Sequence, residues 1–265
     1  MSENNSLIRT KALLRSVPFV YRLFARLRMA WARDHVVLLP DGFRMFVSAF
    51  SYVENEVASG RFELNRVKLF HTLLSDQRRF VDIGANIGFF SLLAASKGCV
   101  VDAFEPAKVN YRRLCGNSSL NKFGEKIGTH QIALGECKAT SNLFAPLNDN
   151  YGRISLRSEV GTKIGRINVD TLDAVLPVPD TPVTIKIDVE GFEENVLKGS
   201  QRWIESTASG SAWVVEIHVG IGVKYETIAD YFKGYTITYF SDQDGTETIL
   251  PTSETGDVVL VARKR

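Results

Sequence analysis

The stretch Phe80-Val81-Asp82-Ile83-Gly84-Ala85-Asn86-Ile87-Gly88-Phe89-Phe90 constrains this chain more than any other. It opens as an apolar run rich in β-branched residues and closes in a pattern of helical period, so a buried strand gives way to a helix within a few residues. Gly84, Asn86 and Gly88 occupy the turn between them, residue types that tolerate positive φ and let a ligand approach the backbone. Such a strand, turn and helix N-terminus suits a nucleotide, because free N–H groups and the helix dipole converge there. The turn reads D-x-G-x-N-x-G, with Asn86 where the dinucleotide fingerprint G-x-G-x-x-G has its second glycine. An NAD-dependent oxidoreductase is disfavoured on that ground.

A second apolar run, Cys99–Phe104, ends in Glu105-Pro106, placing an acid 17 residues past Gly88. That is close to the spacing at which a carboxylate ending the second strand of a nucleotide-binding unit takes hydrogen bonds from a ribose diol. A third informative run is Val183-Thr184-Ile185-Lys186-Ile187-Asp188-Val189-Glu190. Period-2 alternation puts Val183, Ile185, Ile187 and Val189 on one face and Lys186, Asp188 and Glu190 on the other. A lysine in the middle of a doubly covered strand is desolvated and needs a partner, for which Asp188 and Glu190 are the natural candidates.

Around these runs the pattern predicts a hairpin (Val36–Leu39 and Phe43–Val47 about Pro40-Asp41-Gly42) and helices over Leu64–Leu74, Gly88–Lys97 and Lys108–Leu120. It predicts a third strand over Thr129–Leu134, a helix from Gly191 to about Lys198, and a strand over Trp213–His218. A helix over Tyr225–Phe232 and strands over Tyr235–Phe240 and Val258–Ala262 follow. Residues 135–182 show little periodicity beyond a short strand at Ile167–Val169 and a short helix at Thr171–Leu176. A stretch this long between core elements is expected to be functional or disordered.

At 265 residues, 45% hydrophobic and 23% charged, the chain can bury one large α/β core with appendages. Cys99, Cys115 and Cys137 have neither metal-ligand spacing nor a pairing framework, and the four histidines do not cluster, so no metal site is assigned. No apolar run is long enough to span a membrane, and a cytoplasmic location is expected. Residues 1–35 carry seven Lys and Arg against two acids, a net +5 that leaves −3 on the remainder. An acidic body disfavours nucleic acid as a partner. Leu7 to Ala32, divided by Pro18, reads as a basic helical segment with Val20, Phe24, Leu27 and Trp31 on one stripe. An arm packed on the body is the favoured reading, with weak peripheral membrane contact through residues 7–33 the alternative. The chain thus divides into an N-terminal basic segment and hairpin, 1–48, and a catalytic domain, 49–265.

With these pieces in place, the chain resembles the FkbM family of S-adenosylmethionine-dependent methyltransferases. The segments that carry the resemblance are Val81–Gly88, Ala103–Pro106 and Ile185–Glu193, with weaker matches at Phe62-Glu63, Ala133–Gly135, Thr171–Asp173 and Glu216–His218. The resemblance implies a class I, Rossmann-like α/β fold with a seven-stranded sheet, five parallel strands and an antiparallel closing pair. It implies S-adenosylmethionine as cofactor and O-methylation of a hydroxyl on a sugar or a polyketide-like product. It also implies that the turn Asp82–Gly88 (Asp82, Gly84, Asn86, Gly88) cradles the methionine part and that Glu105 holds the ribose. On the same basis Ala133 lies against the adenine, Asp188 faces the methionine amine or the methyl group, and Glu63 belongs with the cofactor-binding residues.

An alcohol is too weak an acid to ionise unaided, so a base beside the methyl group is expected. His218, at the C-terminal end of its strand, is the first candidate and Glu190 the second. A histidine base implies activity rising with pH near its ordinary value of about 6.5. Asp188, Glu190 and His218 converging on a divalent cation is a further arrangement the spacing allows. The Asn/Asp-Pro-Pro-aromatic motif of nucleic-acid N-methyltransferases is absent, with Asp188-Val189-Glu190-Gly191 in its place. A non-catalytic scaffold that kept the fold is the remaining alternative.

Overall fold

The computed structural model describes residues 35–48, 52–146, 154–158, 161–251 and 257–265. The basic segment at residues 7–33 therefore lies outside the described residues. In chain order the first elements are the hairpin β1 (His35–Leu38) and β2 (Arg44–Val47), then α1 (Tyr52–Ala58) and α2 (Leu64–Leu73). Next come β3 (Arg79–Ile83), α3 (Phe89–Ser96), β4 (Val100–Phe104), α4 (Lys108–Leu120), β5 (Ile127–His130) and β6 (Ala133–Leu134). An arm of β7 (Ala139–Ala145) and β8 (Thr162–Asp170) precedes α5 (Leu172–Val175), β9 (Val183–Ile187), α6 (Glu193–Lys198) and α7 (Gln201–Ser206). The chain closes through β10 (Ala212–Ile217), α8 (Tyr225–Ala229), β11 (Tyr235–Phe240), β12 (Glu247–Thr248) and β13 (Val258–Lys264).

The main sheet runs β12-β11-β13-β10-β9-β3-β4-β5. Strands β10, β9, β3, β4 and β5 are parallel, and β13 lies antiparallel between β10 and β11. This is the expected seven-stranded α/β sheet, extended to eight by the two-residue edge strand β12. The strand order turns back at β3 and β9: β4 and β5 go to one side of β3, and the chain returns to place β9 on the other. Ligands bind at such a switch point, outside the carboxyl ends of the strands.

Alternation along the strands feeds two cores. Phe80, Val101, Val214 and Val261 join the layer of Phe70, Phe89, Phe90, Leu92 and Leu93 on one face. Val81, Ile83, Ile185, Ile187, Trp213 and Val215 join Val196, Leu197 and Trp203 on the other. The hairpin belongs to the first of these cores, since Phe43, Met45 and Val47 are buried in it. Phe46 N–H donates to Asn117 Oδ1 at 2.8 Å while Asn117 Nδ2 donates to Ile87 O, so one side chain ties the hairpin to the turn before α3.

One expectation is corrected and another extended. The strand predicted over Thr129–Leu134 is two: β5 stops at His130, and Ala133-Leu134 pairs with β8 in a separate sheet of order β6-β8-β7. The strand expected at Ile167–Val169 is present but is only the end of β8, which pairs along its length with β7 in a long antiparallel arm. Its strands are mostly half-buried or exposed, so no apolar alternation betrays them. Among the described residues no helix is long and apolar enough to cross a membrane.

Candidate active site

At the switch point the backbones nearly touch. Gly84 leaves β3 at φ +82°, its N–H and that of Ala85 bond to Phe104 O, and Asp188 N–H bonds to Ile83 O at 3.0 Å. A Cβ on Gly84 would lie 1.8 Å from Asp188 O, so no other residue fits between the two strand ends. Asn86 also has positive φ, +52°, and Gly88 closes the turn as the residue before α3, at φ +92°.

A cleft of ≈ 570 Å³, including space open to solvent, lies over these strand ends. Of the residues singled out from the sequence, Gly84, Asn86, Glu105, Ala133, Asp188 and Glu190 line it. Asp82, Gly88, Glu63 and His218 do not. Glu105 is buried, its Oε2 accepting from Asn86 N–H at 2.9 Å and its Oε1 from Ala107 N–H at 2.8 Å. Burial outweighs those two bonds and pushes its carboxyl up to about 7.

Asp82 lies beneath the turn and does not face the cleft. Its Oδ2 accepts from Ser91 Oγ at 2.6 Å, and its Oδ1 lies 3.8 Å from Lys186 Nζ with no hydrogen bond of its own. Asp82 and Lys186 are register partners on adjacent parallel strands, so their side chains stand together on one face. Lys186 is buried, lies 5.4 Å from the ring centroid of Phe90, and donates to Asp188 Oδ2 at 2.9 Å. Burial alone would lower its pKa, yet Asp188 and Asp82 raise it above the ordinary lysine value. Burial likewise works against ionised Asp188, but Lys186, His218 and Arg66 hold it below the usual carboxylate range. The partners of Lys186 are therefore Asp188 and Asp82. Glu190 is not among them, because β9 ends at Ile187 and Glu190 adopts a left-handed φ of +52°, which ends the alternation.

Glu190 turns toward His218 instead: its Oε2 is 3.3 Å from Nε2. On the far side, Nδ1 lies 2.8 Å from Glu193 Oε1. The imidazole is buried, which would favour its neutral form, but the hydrogen bond and charge of Glu193 with the charges of Glu190 and Glu216 push it up to about 10. With carboxylates facing both ring nitrogens, the charged form of the ring is favoured. Of the two candidate bases, Glu190 is the one that lines the cleft, and His218 stands behind it. Asp188, Glu190 and His218 each bring one ligand atom within 4.8 Å of the others.

Glu63 sits ahead of α2 at φ +43°, 3.3 Å from Arg66. Burial pushes its carboxyl up to about 7 against the pull of Arg66. Arg66 is buried and also pairs with Glu216 and Asp242. Arg66, Ser91 and Glu193 are the contributors missed in the sequence. The signals were a charge within an amphipathic helix, a serine one turn into a helix, and an acid at a helix start, all of which have ordinary structural readings.

The family model described as the methyltransferase FkbM domain matches residues 82–239. The hexuronic acid methyltransferase AglP of Haloferax volcanii is 29% identical over 150 residues, which cover 54% of this chain and 57% of that protein. The match thus spans little more than half the length of that curated relative. Among solved structures, methyltransferase FkbM from Methylobacillus flagellatus aligns at 21% identity and a TM-score of 0.47, over 71% of this chain and 44% of that one. The magnesium protoporphyrin IX methyltransferase of Synechocystis, solved with bound S-adenosylmethionine, aligns at 12% identity and a TM-score of 0.47, over 81% and 84%.

Proposed function

The chain belongs to the FkbM family of methyltransferases, and from that premise we propose that it transfers a methyl group from S-adenosylmethionine to a hydroxyl of a saccharide or other hydroxyl-rich acceptor. The observation that carries the reading is the closure of Gly84 on Asp188 beside a buried Glu105 whose two oxygens are each held by a backbone N–H. The residues present fit the cofactor. Glu105 is an acceptor-only group with lone pairs to spare for a diol, and the glycine cradle admits a ligand against the backbone. Gly84 and Asn86 would hold the methionine end, Glu105 the ribose and Ala133 the adenine. When bound, the cofactor supplies an electrophilic methyl group on a good leaving group.

The protein's share is alignment and one proton. Lys186 fixes Asp188 at the mouth of the switch point, so this carboxylate presents a set direction to the cleft. Glu190, which lines the cleft, takes the acceptor's proton. An alcohol oxygen becomes a strong acid as it gains a carbon, so a carboxylate suffices as base if it is positioned. The acidic surroundings suit a cationic cofactor and a neutral hydroxyl. The sugar acceptor of AglP supports a saccharide for this chain.

Purified protein incubated with methyl-labelled cofactor against a panel of glycans and hydroxylated natural products, read by mass spectrometry, tests the reading. Label on a hydroxyl oxygen is expected. A protein that binds the cofactor and labels nothing in the panel would favour the scaffold alternative.

A further inference from the structure

We propose that Glu193 is a positioning residue that sets the acceptor-side carboxylate Glu190 by two routes, through His218 and through the backbone of Gly191. The activity readout of this inference rests on the methyltransferase reading above; its geometric content does not.

Glu193 opens α6 with a fully buried side chain and does not line the cleft. A single oxygen, Oε1, receives both the Gly191 N–H at 2.8 Å and His218 Nδ1 at 2.8 Å. The first contact pins the residue that follows Glu190, where the chain runs through two successive positive φ values, +52° at Glu190 and +93° at Gly191. The second contact pins the ring whose other nitrogen faces Glu190 Oε2. From a third side Ser155 Oγ donates to Glu190 O at 2.6 Å. A non-glycine residue at positive φ is strained and persists only where its surroundings over-determine it. Glu193 supplies two of those determinants with one atom.

A wholly buried carboxylate is an expensive way to cap one amide, since a neutral acceptor would do that without desolvating a charge. What the charge adds is a protonated His218. The ionisable groups around that ring are Glu193 from α6, Glu190 from the turn after β9, Glu216 from its own strand, and Asp188 and Asp257 at the neighbouring strand ends. Glu193 is the one bonded to Nδ1, so it fixes which way the ring faces. Nε2–H then points at Glu190, holding that carboxylate beside the cleft.

Glu193→Gln separates charge from shape, because the amide oxygen can still cap Gly191. The ring carbons of ¹³C-labelled histidine in the full chain report the titration of His218, assigned by its absence in His218→Gln. In wild type His218 should stay protonated to beyond pH 9. In Glu193→Gln its pKa should fall by about two units or more, and the alkaline limb of kcat should move down with it. Affinity for S-adenosylhomocysteine should stay within about threefold and kcat at pH 8 should fall on the order of a hundredfold. Glu193→Asp, which keeps the charge, should retain most of the raised pKa. A His218 that titrates near 6.5 in wild type overturns the proposal. So does a Glu193→Gln variant with wild-type kcat and pH profile, which would leave Glu193 a backbone cap. If Glu193→Gln does not fold, the wild-type and Glu193→Asp titrations decide. If wild type binds no cofactor, the methyltransferase reading fails, while the His218 titration still judges this one.

Discussion

Lys186→Met removes the one cation between two carboxylates at the switch point. Lys186 is buried, with Asp188 at 2.9 Å and the nearly inaccessible Asp82 at 3.8 Å. Methionine fills much the same volume against Phe90, so the loss is one of charge rather than of packing. Stripping one partner from a buried ion pair costs about 3–5 kcal/mol, because the remaining charge is left uncompensated. For a chain of this size that corresponds to a fall in Tm of roughly 6–20 °C. The sign of the pH dependence follows from the groups left behind. Burial already holds Asp82 above the ordinary carboxylate range, with Lys186 and Ser91 pulling the other way. Without the lysine its pKa rises further, so the folded variant takes up a proton that the unfolded chain binds only at lower pH, and acid relieves part of the cost. The lysine's own raised pKa gives a contribution that is whole below its unfolded value near 10.4, and therefore constant over this range. The gap between wild type and variant, measured by thermal melts at pH 8 and pH 5.5, should be wide at the first and narrower at the second. Adding Asp82→Asn should recover a good part of it at pH 8. A loss below about 1 kcal/mol, or the same loss at both pH values, would refute the reasoning.

Gly84→Ala forces a Cβ against Asp188 O at φ +82°, so the ends of β3 and β9 must part; calorimetry should find no cofactor binding, and wild-type affinity would contradict the close approach. Chelator should leave methyl transfer intact, because Glu190 is proposed to act as the base and not as a ligand; activity lost to EDTA and restored by Mg²⁺ would make Asp188 and Glu190 metal ligands instead. Cofactor affinity should weaken as pH falls below about 7, where Glu105 gains a proton and loses acceptor capacity; a flat titration from pH 8 to 5.5 would place the ribose elsewhere.

The parts of this molecule legible in its sequence are those where local period and burial coincide. The Lys108–Leu120 helix and the Tyr235–Phe240 strand fall where the pattern puts them, because each has one side on a core. The run from Thr129 to Leu134 looks continuous, yet hydrogen bonding divides it between two sheets, and period carries no information about partners. The β7–β8 arm escapes notice because neither of its faces is consistently buried. At the site, the strand-end carboxylates were readable from position alone. What position could not supply was pairing across elements: Asp82 with Lys186 depends on strand register, and Glu193 with His218 on a helix start folding beneath the next strand's end. For that reason the proposed base is Glu190, with His218 behind it. A histidine at a strand end is a base only if no buried acid already holds its proton.

The most direct test of the account is a calorimetric titration of wild type and Glu105→Ala with S-adenosylhomocysteine at pH 8. Wild type should bind one equivalent. Glu105→Ala, which takes away the acceptor beside Asn86, should bind about ten- to a hundredfold more weakly, the worth of roughly 1.5–3 kcal/mol for hydrogen bonds to a charged group. A wild type that gives no binding heat and no competition, or that prefers NAD, would contradict the central claim.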